Sequence, residues 1–149
     1  MNRYDLEFKE ENVYTMKSLP ADEGEKIIYV FRDTSYNNDG KWIINEILYI
    51  GKSIDSDGRL NVSHNKIEPA NQKIETGHFL TFTYHKFNGN TSDETIRAIE
   101  NALIYINKPC LNKNGVDNYN FDSYGDIEVH CSGVRSTKLI KDIYLKEKR

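Results

Sequence analysis

Cysteine is scarce in this chain: Cys110 and Cys131 are the only two in 149 residues, with no Cys-x-x-Cys and no neighbouring ligand pair. That pattern excludes a disulfide framework and a zinc site, and two reduced, mostly buried thiols are expected. No apolar run approaches the length of a membrane span, and Met1-Asn2-Arg3-Tyr4-Asp5 lacks the apolar region of a secretory signal. A cytoplasmic protein is the expectation. A basic excess is missing too. The net charge of −3 excludes a protein that coats nucleic acid by bulk electrostatics. Residues 1–25 hold seven acids against Arg3, Lys9 and Lys17, a net of −4 that leaves +1 for the rest. Any phosphate-binding surface must therefore be local. Candidates are Lys52, Arg59, Lys66, Lys73 and Lys86, and a C-terminal run from Lys138 to Arg149 that reads equally well as a solvated helix face.

The length and a 38% hydrophobic content suit one domain able to bury a core. Its expected parts are an acidic arm over 1–24, a core over about 25–115 and an extension over 116–149. Residues 26–36 and 41–50 are rich in β-branched and aromatic side chains, and Asn37-Asn38-Asp39-Gly40 between them is a turn signal, which predicts a β-hairpin. With a loop of Asn38-Asp39-Gly40 and Gly40 left-handed, Tyr29 falls directly opposite Tyr49 on one face. Alternation from Gly77 to Phe87 predicts a third strand. Residues 92–107 read as a helix with a Thr91/Glu94 capping box and a stop at Pro109. At roughly 100° per residue, Ile96, Ile99, Leu103, Ile104 and Ile106 share one apolar arc. Glu100 falls inside that arc, where a carboxylate needs a cation; a metal ion or Arg59 is the expected partner. Beyond Asn118, a strand over Asp126–Cys131 and a terminal helix from Thr137 are expected.

Read in order, Ile27-Ile28-Tyr29, Tyr49-Ile50-Gly51-Lys52-Ser53, Arg59, Glu100 and Asn112 resemble the polar set of the GIY-YIG nucleases. The resemblance spans roughly residues 25–115 and departs from the family in three ways. Isoleucine replaces glycine in the first motif, the segment between the tyrosine motifs is long, and the histidine often found four residues after the arginine is Ser63, with His64 next to it. Ser18-Leu19-Pro20 and the long hairpin have a weak similarity to restriction-type members. The implied fold is α+β: a small central three-stranded antiparallel sheet flanked by helices, with a C-terminal strand and helix added.

The resemblance implies a metal-dependent DNA endonuclease. Glu100 would hold one Mg²⁺ or Mn²⁺ with waters completing the shell, Arg59 would clamp the scissile phosphate, and Tyr29 would take the proton from the attacking water. An ordinary phenol titrates near 10, so Tyr29 needs cationic charge nearby, from the metal or Lys52. Tyr49 would orient water or phosphate, Gly51 would let the main chain approach the phosphate, and Asn112 would fix Glu100 or the loop after the helix. If the element after Gly58 is helical, His64 is turned roughly 100° from the family's usual direction, so it either reaches the phosphate or faces away. His78, His85 and His130 are read as structural. Duplex or branched DNA is the expected partner, with a homodimer or partner subunit as the remaining source of specificity. Two other readings stand beside this one: a nucleic-acid-binding module of the same fold without catalysis, and a protein-interaction domain built on the acidic arm.

Overall fold

The computed structural model describes residues 2–8, 14–15, 26–53, 66–133 and 138–148. The hairpin forms as β3 (Ile27–Tyr36) and β4 (Trp42–Ser53). Asn37 and Lys41 close its loop, with the Asn37 N–H donating to the Lys41 carbonyl at 2.9 Å, and Gly40 is left-handed at φ 73°. The expected three-residue loop is therefore present. Tyr29 nevertheless pairs with Gly51, and Tyr49 pairs with Phe31. The cause is two bulges, between Phe31 and Arg32 and between Asp33 and Thr34, which leave Leu48 and Asn45 of β4 unpaired. Each adds one residue to β4. Together they displace the register by two, which restores the facing of side chains but moves every partner along by one pair. The extra residues have uses: Leu48 is buried and its carbonyl accepts from the Leu111 N–H at 2.9 Å, while the Asn45 amide donates to Ser35 Oγ at 3.0 Å.

β3 is central. It pairs antiparallel with β4 on one side and on the other with β5 (Phe79–Lys86), which in turn pairs with the short β2 (Tyr14–Thr15), so the sheet runs β2-β5-β3-β4. Four strands replace the three expected. Residues 27–34 of β3 are all buried, as a strand covered on both faces requires. One face carries Ile27, Tyr29, Phe31, Leu48 and Phe82 against α1 (Ile67–Lys73). The other carries Ile28, Val30 and Ile50 against α2 (Asp93–Asn107).

α2 starts one residue later than the capping box suggests. Ser92 is the N-cap, its Oγ accepting from the Thr95 N–H at 3.1 Å, and the left-handed Lys108 (φ 47°) ahead of Pro109 ends the helix. The opposite side of α2 packs on a second sheet made of β1 (Asn2–Glu7), β6 (Ile127–Ser132) and β7 (Asp142–Leu145), in the order β1-β6-β7. β1 runs parallel to β6, and β7 antiparallel. The expected acidic arm thus begins as a sheet strand, and a strand stands where the terminal helix was expected. In Asp142-Ile143-Tyr144-Leu145 only Ile143 and Leu145 are buried, a two-residue period that fits a strand and not a helix turn. A four-residue helix, α3 (Phe121–Tyr124), precedes β6. The molecule is mixed α/β: two small sheets with α2 between them. Among the described residues no helix is long and apolar enough to cross a membrane. Cys131 is buried, and burial pushes its thiol up to about 12; Cys110, expected to be buried, is exposed after α2.

Candidate functional site

Tyr29, Tyr49, Gly51, Lys52, Glu100 and Asn112 gather around the end of β4, the edge strand of the described sheet, but on its two sides. Alternation puts Tyr49, Gly51 and Ser53 on the α1-facing side and Ile50 and Lys52 on the α2-facing side. Tyr29 is 2% exposed, with its ring laid across Gly51: a Cβ at Gly51 would stand 2.5 Å from the phenol carbon and hydroxyl. Glycine at this position of the second tyrosine motif is thus dictated by the tyrosine of the first. Tyr49 lies diagonal to Tyr29 across the strands, with ring centroids 6.2 Å apart, and Lys66 Nζ stands 5.7 Å from the Tyr49 ring centre. The phenols do share a face, as the hairpin reading expects, but as diagonal neighbours.

Glu100 approaches β4 from the other side. It projects from the apolar stripe of α2, and its Oε1 accepts from Lys52 Nζ at 2.9 Å, with side chains 16% and 24% exposed. The buried-carboxylate reasoning holds. Among the described residues, the cation that meets Glu100 is Lys52 of the second tyrosine motif. Asn112 acts on the same strand end. Its Oδ1 accepts from the Ile50 N–H and its Nδ2 donates to the Ile50 carbonyl, both at 2.9 Å. The side-chain amide thus imitates a neighbouring strand and ties the loop after α2 to β4 between Tyr49 and Gly51; this is the loop-fixing role expected of it, with Ile50 as its partner.

Arg59 and His64 lie outside the described residues. The three remaining histidines have structural contacts. His78 Nδ1 meets Asp33 Oδ1 at 2.7 Å, and His85 Nδ1 accepts from the Glu7 N–H at 3.0 Å, joining β5 to β1. His130 sits between Glu128 and Asp142, the latter at 2.7 Å from Nδ1.

Sequence reasoning passes over Arg32. The signal was present, since Ile28, Val30 and Arg32 alternate onto one face of a strand apolar throughout its first five residues, which places a guanidinium inside. Arg32 is fully buried, and Nε, Nη1 and Nη2 have no hydrogen-bond partner among the described residues.

No family model, curated protein or solved structure matches the chain. The likeness to the GIY-YIG nucleases therefore rests on the residues described above.

Proposed function

We propose that the chain is a metal-dependent DNA endonuclease of GIY-YIG type, working at the end of β4. The observation that carries this reading is the meeting of Glu100 with Lys52, 48 positions apart in sequence, at 2.9 Å. A carboxylate placed in an apolar helix stripe and brought to the second tyrosine motif has a functional rationale, because an ordinary packed residue would fill that stripe without desolvating a charge. Glu100 offers the hard oxygen donor that Mg²⁺ or Mn²⁺ takes. Among the described residues no group of three His, Cys, Asp or Glu gathers around a metal position; the proposed ion is held by this carboxylate with water completing its shell. When bound, such an ion supplies positive charge against the developing oxyanion.

The chain's own residues then divide the work. The attacking water's oxygen bonds to phosphorus, its proton passes to Tyr29 as phenolate, and the bond to the leaving alkoxide breaks, with solvent returning a proton to that oxygen. Tyr49, with Lys66 over its ring, orients the water or the phosphate. Lys52 sets the charge and position of Glu100, Asn112 fixes the strand end, and Arg59 donates its planar fork to the phosphate. His64 is carried as a further phosphate contact.

A second reading, a nucleic-acid-binding module without catalysis, is favoured by the burial of Tyr29. One experiment separates the two: plasmid, branched and single-stranded DNA are incubated with the parent and with Glu100→Gln, with and without Mg²⁺. The nuclease reading expects Mg²⁺-dependent nicking that falls about 10²–10³-fold or more in the variant while DNA affinity holds. Binding without nicking in the parent establishes the second reading. Nicking by Glu100→Gln at the parental rate removes Glu100 from the mechanism.

A further inference from the structure

β1 and β4 each stand at the edge of a described sheet, but their edges are finished differently. That of β4 is capped: the Leu48 carbonyl accepts from the Leu111 N–H, both Ile50 backbone groups bond Asn112, and Lys138 Nζ donates to the Asn45 carbonyl at 2.9 Å. In β1 the Phe8 N–H donates to the Ser132 carbonyl and the Leu6 carbonyl accepts from Ser132 Oγ, so alternate residues turn their amides toward β6. Arg3, Asp5 and Glu7 turn theirs the other way. The Glu7 N–H follows that direction and donates to His85 Nδ1 at 3.0 Å. Among the described residues the backbone N–H and C=O groups of Arg3 and Asp5 have no partner. An open cavity of about 590 Å³ runs along residues 3–6, bordered by Phe87, Thr91 and Ser92.

Unpaired edge groups are a template for another strand, and the charges on β1 select which one. Tyr4 and Leu6 pack toward α2, while Arg3 and Asp5 project on the opposite face, with side chains 61% and 68% exposed and Arg3 Nη2 at 3.3 Å from Asp5 Oδ1. In an antiparallel pairing of two copies about a two-fold axis at Tyr4, Arg3 of each copy lies opposite Asp5 of the other. These are the residues whose amides point outward, so both become hydrogen-bonded pairs, each exchanging two backbone bonds. Opposite charges then face each other at Cβ separations of about 5.5 Å, an arrangement that favours the pair. Moving the axis to Arg3 sets Arg3 against Arg3. Moving it to Asp5 sets Asp5 against Asp5 and calls on the Glu7 N–H, which His85 already holds. We propose that β1 is a self-association edge, pairing with β1 of a second copy in the Arg3–Asp5 register and joining the two three-stranded sheets into one. β1 has six residues, so the contact lies at the small end of specific interfaces and the dimer is weak and reversible. None of this rests on the nuclease reading, and the test uses neither DNA nor divalent metal, so the two fail independently.

Sedimentation velocity of the full chain over about 1–500 µM should show a reversible monomer–dimer equilibrium. Arg3→Asp and Asp5→Arg each set like charges opposite one another and should weaken association about tenfold or more. An equal mixture of these two variants regains opposite charges across the axis and should associate about tenfold more tightly than either alone. The double variant Arg3→Asp/Asp5→Arg should return close to the parent. Amide exchange reads the same edge without any substitution: Arg3 and Asp5 should exchange fast in dilute solution and slow as concentration rises, while Leu6, turned toward β6, is protected throughout. Should a charge swap unfold the chain, the exchange experiment on the parent decides alone. A parent that stays monomeric over this range, or a mixture no tighter than its components, overturns the proposal. So does association that the charge swaps leave intact and that loss of the exposed Trp42 ring in Trp42→Ala abolishes, which would move the interface to the hairpin tip. Protection of Arg3 and Asp5 at the lowest concentration would show the edge covered within one chain and refute it as well.

Discussion

The two faces of the four-stranded sheet bury similar apolar side chains but treat polar groups differently. On the α1-facing side Tyr29 lies flat over Gly51 and Asp33 meets His78, while the small buried Ser53 hydroxyl has no partner among the described residues. On the α2-facing side the charges are larger and their arrangement less complete. Glu100 meets the strand-end Lys52, and Arg32 has no hydrogen-bond partner among the described residues. A fold selected for stability alone would fill such positions with hydrocarbon, since replacing buried ion pairs by apolar residues is often neutral or stabilising. The contrast marks the α2-facing side as the one that buries charge. In the proposed nuclease reading, β4 is the boundary across which the two phenols and the carboxylate cooperate.

The sharpest way to test that boundary is Tyr29→Phe. If phenol and carboxylate act on one phosphate across the strand end, cleavage should drop about 10²–10⁴-fold while the melting temperature stays close to that of the parent. A variant that melts lower but cleaves fully per folded molecule makes the α1-facing side purely structural. Gly51→Ala strikes the same face by crowding. Its Cβ would stand 2.5 Å from the Tyr29 ring, and the overpacking should cost about 1–3 kcal/mol; a coupled loss that Tyr29→Leu relieves in the double variant would locate the strain between these two residues.

Asn112→Ala probes the boundary itself. It deletes two hydrogen bonds to the Ile50 backbone and should cost about 1–2 kcal/mol in urea unfolding, with amide exchange at Ile50 rising more than at Val30 in the adjoining strand. Equal protection at the two would mean that Asn112 does not hold the edge.

The smallest effects belong to two histidines outside the boundary, and their signs differ. His130 is raised from its ordinary value by its bonds to Glu128 and then Asp142. Its contribution is fully present below the unfolded value of about 6.5 and is lost as pH rises through the folded value. His85 is lowered, chiefly by burial, with the Glu7 backbone carbonyl and the Glu7 charge opposing. Its contribution is present above about 6.5 and is lost as pH falls through that value toward the folded one. His130→Gln should therefore lose stability relative to the parent more at about pH 5 than at about pH 8, as read by denaturant midpoints. The opposite trend would place its carboxylate contacts outside the folded state's energetics.

What was legible in the sequence follows the range of the interactions. The Asn37–Gly40 turn, β5, the apolar stripe of α2 and the inward glutamate all rest on periodicity or turn chemistry within a dozen residues, and all are present. The direct pairing of Tyr29 with Tyr49 failed because Leu48 and Asn45 bulge, and each bulge is held by groups far away or across the strand: Leu111 for the first, Ser35 and Asp33 for the second. Asn112 was marked by its motif, but its backbone target was not visible until α2 and β4 were brought together. Of the second sheet, β6 was legible as the strand expected over Asp126–Cys131, but its pairing with β1 and β7 was not, for the same reason. Its strands lie at opposite ends of the described chain, and Asn2-Arg3-Tyr4-Asp5-Leu6-Glu7 carries mostly polar side chains, with a single fully buried residue.

That second sheet also sets the order of events during synthesis. β1 precedes every other described strand in the chain, yet its neighbour β6 spans residues 127–132, with Asn2 pairing with Ile127 and Glu7 with Ser132. At about 5–20 residues per second, β1 waits on the order of 6–24 s after its own completion for β6 to be translated. The hairpin, β5 and α2 can assemble in that interval, with one side of the helix still uncovered. The parallel pairing that closes the molecule is then a late, long-range step of the slow kind. Until β1 arrives, β6 presents an open edge on which another strand could be laid, so the most hazardous moment for this protein comes just before β1 finds its place.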